Sequence, residues 1–113
     1  MITKLKMEHL IGPRTERAQR IYEFGNHCWY LDGQLHRDLD LPAILYPDGR
    51  EDFYKNGLLH RDNDQHAIIF GNGTKEWYQH GELHRDNDLP AVIRQNGIRG
   101  WYQHRKLIKE SKL

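Results

Sequence analysis

The sequence predicts an all-β fold, an antiparallel meander of about four 24-residue β-hairpin repeats in a single curled sheet. Three observations predict it. The triplet His-Arg-Asp recurs at His36, His60 and His84 with one spacing (60 − 36 = 84 − 60 = 24). Two kinds of glycine-bearing turn alternate at the same period. The runs between them are short and rich in aromatic and β-branched residues, which suits strands rather than helices.

The elements follow in order. Residues 7–30 form a degenerate first unit: Ile11, Glu16 and Gly25 stand in register with Leu35, Asp40 and Gly49, but Gly12-Pro13-Arg14 replaces the triplet. Such a unit suits a cap. Full units follow at 31–54, 55–78 and 79–102, and 103–113 closes the chain as a C-terminal cap or tail. Within a unit, Asp32-Gly33, Asn56-Gly57 and His80-Gly81 suit a two-residue hairpin turn whose glycine takes positive φ at little cost. Pro47-Asp48-Gly49, Gly71-Asn72-Gly73 and Gln95-Asn96-Gly97 suit a slightly longer turn. Between the turns, Ala67-Ile68-Ile69-Phe70 and Lys75-Glu76-Trp77-Tyr78 read as strands. A hairpin turn at His80-Gly81 sets Tyr78 across from Leu83 and Trp77 across from His84, one apolar rung and one Trp-His rung per unit.

Composition bounds the rest. The 113 residues fit one domain able to withdraw roughly two-thirds of its unfolded surface from water. Only 37% of the chain is hydrophobic, so the three Trp and six Tyr must supply much of the core. Seventeen Lys and Arg against sixteen Asp and Glu leave a charge of +1, too little to steer phosphate or an anionic membrane. Nucleic acid and membranes are therefore not expected partners. Cys28 is the only cysteine, which excludes an internal disulfide and fits a buried thiol in a reducing compartment. No apolar run reaches the ~20 residues of a membrane span, and Met1 to Leu10 lacks the stretch of a signal peptide. A cytoplasmic protein is expected.

Tyr-x-x-Gly-x-x-His, at Tyr54 to His60 and Tyr78 to His84, resembles the pattern of MORN repeats and their variants. The version Leu-His-Arg-Asp-x-Asp-Leu-Pro-Ala, at Leu35 to Ala43 and Leu83 to Ala91, is similar to repeats in phage and giant-virus proteins. The likeness covers about residues 25 to 107, with His-Arg standing where MORN units carry His-Gly. It implies stacked β-hairpins used as scaffolds and binding modules, placed in the host cytosol if viral.

The conspicuous residues are His36, Arg37, Asp38, His60, Arg61, Asp62, His84, Arg85 and Asp86. His-Arg-Asp also occurs in the protein-kinase catalytic loop, but this chain has neither the glycine-rich loop nor Asp-Phe-Gly and is too short for two lobes. His-x-Asp-x-Asp offers metal-ligand chemistry, most plainly at His60, Asp62 and Asp64. Equivalent histidines two or three strands apart are separated by ~10–14 Å, so one ion cannot collect all three. The structural alternative has Asp38, Asp62 and Asp86 making Asx turns or accepting backbone amides. Arg37, Arg61 and Arg85 then pair with Asp40, Asp64 and Asp88, and His packs on Trp.

The expected function is binding without catalysis or cofactor: a phage or viral protein that docks on a host protein and inhibits it, with the triplets as the presented ridge. Two alternatives stand beside it. One is a metal-dependent hydrolase or nuclease using His-x-Asp-x-Asp; the other is a self-associating structural protein, a homodimer in its simplest form.

Overall fold

The computed structural model describes residues 16–112. The replaced triplet Gly12-Pro13-Arg14, the opening stretch Met1 to Leu10 and Leu113 lie outside the described residues. Among the described residues there are fourteen strands and no helix: β1 (Gln19–Glu23), β2 (Asn26–Leu31), β3 (Gln34–Leu35), β4 (Ile44–Leu45), β5 (Glu51–Asp52), β6 (Tyr54–Lys55), β7 (Leu58–Leu59), β8 (Ile68–Ile69), β9 (Lys75–Glu76), β10 (Tyr78–Gln79), β11 (Glu82–Leu83), β12 (Val92–Ile93), β13 (Ile98–Gln103) and β14 (Lys106–Lys112). All pairings are antiparallel.

The main sheet is an open meander in the order β1-β2-β4-β5-β8-β9-β12-β13-β14, with β3 attached to β2. Two hairpins, β6-β7 and β10-β11, branch from it as separate two-stranded sheets. The branch point is one aromatic residue. The Phe53 N–H donates forward to the Ala67 carbonyl at 2.7 Å, inside the main sheet, while its own carbonyl accepts the His60 N–H at 3.0 Å, inside the hairpin. Trp77 does the same with Ala91 and His84 at 2.8 and 3.0 Å. Each residue serves two sheets at once, and the strand is interrupted there.

At the two ends the strands are continuous instead: Trp29 makes the same two bonds, to Ala43 and from His36 at 2.8 and 3.0 Å, but β2 continues through it, and β13 continues through Trp101, with β1 and β14 paired alongside for most of their length. β14 thus takes the place that a following unit would fill. It carries Lys106, Lys109 and Lys112 and faces an irregularity between Trp101 and Tyr102, features that blunt a free edge against further pairing.

The turn chemistry follows the sequence. Asn56 and Gly57 have φ of 51° and 83°, both left-handed, as a two-residue turn matched to strand twist requires. In the longer turns the side-chain oxygen of Asp48, Asn72 or Asn96 accepts the N–H two residues on, at 2.9 to 3.1 Å. The predicted rungs are present: Tyr30, Tyr54 and Tyr78 stand opposite Leu35, Leu59 and Leu83.

The core is the strip along the branch points. Trp29, Phe53 and Trp77 are buried with Ala43, Ala67 and Ala91, the alanines at 0% exposure. Cys28, Ile44, Ile68 and Val92, one strand position away, are buried on the opposite face. Both faces are therefore covered along the strip, which gives a lean chain a core two side chains thick. No helix among the described residues is long and apolar enough to cross a membrane.

Candidate functional site

The three His-Arg-Asp segments form the connections from each hairpin back to the main sheet, one above another along one side of the molecule. His36, His60 and His84 are each 6% exposed. Their Nδ1 atoms accept the backbone N–H of Asn56, His80 and His104 at 3.0, 3.0 and 3.1 Å, groups that belong to the next hairpin turn. An amide only donates, so Nδ1 holds the lone pair and the ring proton sits on Nε2. Nε2 in turn donates to Oδ1 of Asp38, Asp62 and Asp86 at 2.8, 2.8 and 2.7 Å. Each histidine is a bridge from its own loop to the next copy. Beside it, the N–H of Gly57, Gly81 and Arg105 donates to the carbonyl of Leu35, Leu59 and Leu83, all at 2.8 Å.

The arginines do three things at once. Their guanidinium carbons lie 3.7, 3.8 and 3.9 Å from the ring centres of Trp29, Phe53 and Trp77. One Nη1 closes its own loop by donating to the carbonyl of Pro42, His66 or Pro90. The remaining fork reaches into the preceding copy. Arg61 grips Asp40 through Nε and Nη2 at 2.7 and 3.1 Å, and Arg85 grips Asp64 at 2.9 and 3.2 Å. Arg37 grips Glu16, the residue that sequence register equates with Asp40.

Three expectations are corrected here. The arginines do not pair with Asp40, Asp64 and Asp88 of their own units, because the hydrogen bond that closes each loop leaves the fork facing backwards. Nor does His pack on Trp; Arg does, while the His60 and His84 rings lie against His80 and His104 at 4.4 and 4.3 Å between centres. Asp38, Asp62 and Asp86 accept a hydrogen bond from the imidazole Nε2–H instead of from a backbone amide.

The carboxylates face outward. Asp62 and Asp86 side chains are 57% and 74% exposed. Asp38 and Asp62 are each held down to about 2, first by the hydrogen bond from Arg17 and Lys55 respectively and next by that from histidine. Asn63-Asp64 and Asn87-Asp88 adopt left-handed backbone, which short polar side chains tolerate. Between neighbouring loops lie two grooves: one of about 250 Å³ floored by Phe53 with Leu39 and Leu41 on its wall, and one of about 200 Å³ floored by Trp77.

No three His, Cys, Asp or Glu side chains gather as metal ligands among the described residues. At the triad expected to suit an ion, His60 has both nitrogens hydrogen-bonded, Asp62 holds the imidazole proton and Lys55, and Asp64 is gripped by Arg85. The three triplets line up in a row: the first and second border one groove, the second and third the other.

Sequence reasoning missed a second polar cluster, on the main sheet. Asp52 stands between Ile44 and Ile68 at 1% exposure. It is satisfied by Arg50 Nε and Nη2 at 2.8 and 3.0 Å and by the Tyr46 hydroxyl at 3.0 Å. Burial and the Asp52 charge push the Tyr46 phenol up. Arg50 and Asp52 are two residues apart on one strand face, which is the signal that could have found them. Every charge of that cluster is consumed within it, so the loop ridge is the better candidate for contact with another molecule.

Comparison of the chain with protein-family models, with curated proteins and with solved structures finds no match.

Proposed function

We propose that this protein is a non-enzymatic interaction module that docks on a partner protein through its loop ridge. The observation that carries the reading is a division of labour within each triplet. Histidine and arginine are spent inwards, on joining one copy to the next, while the aspartates and asparagines of the same loops stand outwards at regular intervals. Rigid, repeated loops on a sheet scaffold suit recognition, because little conformational entropy remains to be lost on binding. A buried histidine with both nitrogens occupied is poorly placed for acid–base or metal chemistry.

The partner we propose is a host protein and the consequence its inhibition, a reading supported by the likeness of the Leu-His-Arg-Asp units to phage and viral repeats. The test is affinity capture from host lysate with the parent chain and with a variant carrying Asp62→Ala, Asn63→Ala, Asp86→Ala and Asn87→Ala. A protein retained by the parent and lost by the folded variant is the expected result. Equal capture by both would remove the ridge from the interface.

A further inference from the structure

We propose that the third loop, at Asp86 and Asp88, is the docking point for a basic side chain of the partner, arginine above all. The inference rests on the ridge being the interaction surface, and it narrows that surface to one loop and one ligand chemistry.

The molecule contains its own record of what these carboxylates hold. In the first loop, Asp38 takes Arg17 through Nε and Nη2 at 2.9 and 3.1 Å. In the second, Asp62 takes Lys55 Nζ at 2.8 Å. Asp40 and Asp64 take the forks of Arg61 and Arg85. All four carboxylates equivalent to Asp86 and Asp88 thus carry a cationic side chain from elsewhere in the chain.

Asp86 and Asp88 carry none among the described residues, and the cause is two substitutions. Gln79 stands where Lys55 stands one copy earlier, and its amide donates to the Arg61 carbonyl at 3.1 Å. Lys109 stands where an arginine would follow Arg85; its ammonium lies 4.5 Å from the Trp101 ring centre instead of on Asp88. Among the described residues the Asp86 carboxylate therefore accepts only the His84 Nε2–H, on Oδ1. Nearby cations are committed, Arg85 to Asp64 and Arg105 to Glu82.

Two uncompensated carboxylates remain, on a loop that is exposed from Asp86 to Leu89 and held rigid from beneath. Asp86 also forms part of the wall of the Trp77 groove. A planar guanidinium matches this arrangement better than an ammonium, since it grips a carboxylate with two donors and lies flat on aromatic rings, as Arg61 and Arg85 do within the chain. Phosphate is repelled by both carboxylates, so the fitting occupant is a basic protein segment.

The experiment is a titration of the ¹⁵N-labelled full chain with acetyl-Arg-Gly-Arg-amide, with acetyl-Glu-Gly-Glu-amide as the control. Saturable shifts are expected at residues 84–89 and at the Trp101 indole N–H, which donates to the Asp88 carbonyl. Asp86→Asn with Asp88→Asn should weaken binding by about fivefold or more. Gln79→Lys should do likewise by filling the place from within, in a protein whose own carboxylates are intact. Asp48→Asn, in a longer turn outside the ridge and with its turn-closing oxygen kept, should leave the affinity unchanged.

Shifts of equal size at residues 60–64, parent-like affinity in both Gln79→Lys and the double asparagine variant, or no saturable response to the arginine peptide would each overturn the proposal. So would concentration-dependent shifts at 84–89 without peptide, which would make a second copy the occupant. Host-protein capture that survives Asp86→Asn with Asp88→Asn but is lost with Asp62→Ala and Asn63→Ala overturns this inference and leaves the ridge reading standing. Capture indifferent to all of them overturns both.

Discussion

The second and third loops carry the same five residues, His60-Arg61-Asp62-Asn63-Asp64 and His84-Arg85-Asp86-Asn87-Asp88, in the same backbone shape. The φ angles are 61° and 55° at Asn63 and Asp64 and 64° and 56° at Asn87 and Asp88. Their internal bonds match as well, histidine to the first aspartate at 2.8 and 2.7 Å and arginine to the closing carbonyl at 3.2 and 3.1 Å. Their surroundings do not match. Lys55 and Arg85 cover the second loop's carboxylates, while Gln79 and Lys109 leave those of the third uncovered. Loop shape is written in the five residues themselves; loop charge is written elsewhere, in strand and loop positions of neighbouring copies.

The largest expected effect separates the loops by position in the stack. His60→Ala removes a buried ring and strands the His80 amide, a loss of about 2–4 kcal/mol from the void and the unpaired donor together. His84→Ala breaks the same bond to His104, but among the described residues β12, β13 and β14 alone follow it in the chain. In a linear stack each unit leans on its neighbours, so the loss at His84 should be about half as large. Urea unfolding of the two variants measures it. Equal losses would show that the chain unfolds as one block with no distinction between middle and end.

The first loop sharpens the comparison from the other side. Leu39 holds φ of 63° at 68% exposure, where the later loops place Asn63 and Asn87. A branched apolar side chain pays for left-handed backbone without gaining burial. Leu39→Asn should therefore raise stability by about 1 kcal/mol, read as a higher urea midpoint at unchanged slope. A neutral or destabilising result would show that Leu39 gains more from the groove beside Phe53 than its backbone costs.

What could be read from the residues divides along the same line. The two-residue turns, the Tyr-Leu rungs and the all-β meander follow from local chemistry: Asn-Gly, alternation, and runs too short for helices. The partner of each arginine does not follow, because a 24-residue period offers Asp64 to Arg61 three positions ahead and Asp40 twenty-one behind. Spacing alone cannot rank them. The choice is made by the Arg61 bond to the His66 carbonyl, a contact visible only in three dimensions. The branch at Phe53 and Trp77 was equally hidden, since it depends on one backbone unit serving two sheets. The buried Asp52 escaped because its strand position in the flanking units holds Cys28, Glu76 and Gly100, which share no chemistry.

A smaller effect turns the second loop into a copy of the third. In Lys55→Gln, Asp62 loses the hydrogen bond that does most to hold it near 2, and its titration should move up towards the ordinary carboxylate range near 3.9. The sign follows from linkage. A carboxyl whose folded value lies below its unfolded value stabilises the fold above about pH 4, and that contribution fades as pH falls towards 2. The parent should lose more stability than Lys55→Gln between pH 5 and pH 2. At neutral pH the two should differ by less than about 1 kcal/mol, since the pair is half exposed. Carboxyl-carbon NMR titration checks the first statement and melting against pH the second; an Asp62 titration indifferent to the substitution would break both.

The smallest effect should come from Lys109→Arg, which restores to the third loop the residue type that grips the other two. Arg85 lies over Trp77 and reaches Asp64, twenty-one positions back; residue 109 already lies over Trp101 and stands twenty-one positions beyond Asp88. An arginine there should keep the aromatic contact and add a fork to Asp88, for a gain of a few tenths of a kcal/mol at this exposed end. The backbone differs, for residue 109 sits in β14, beside its register shift, and not in a loop. A gain therefore says that side-chain reach decides the pairing, and no gain says that loop geometry does. The Asp88 carboxyl shift and the melting temperature report which, and salt of about 0.5 M should erase a gain that is electrostatic.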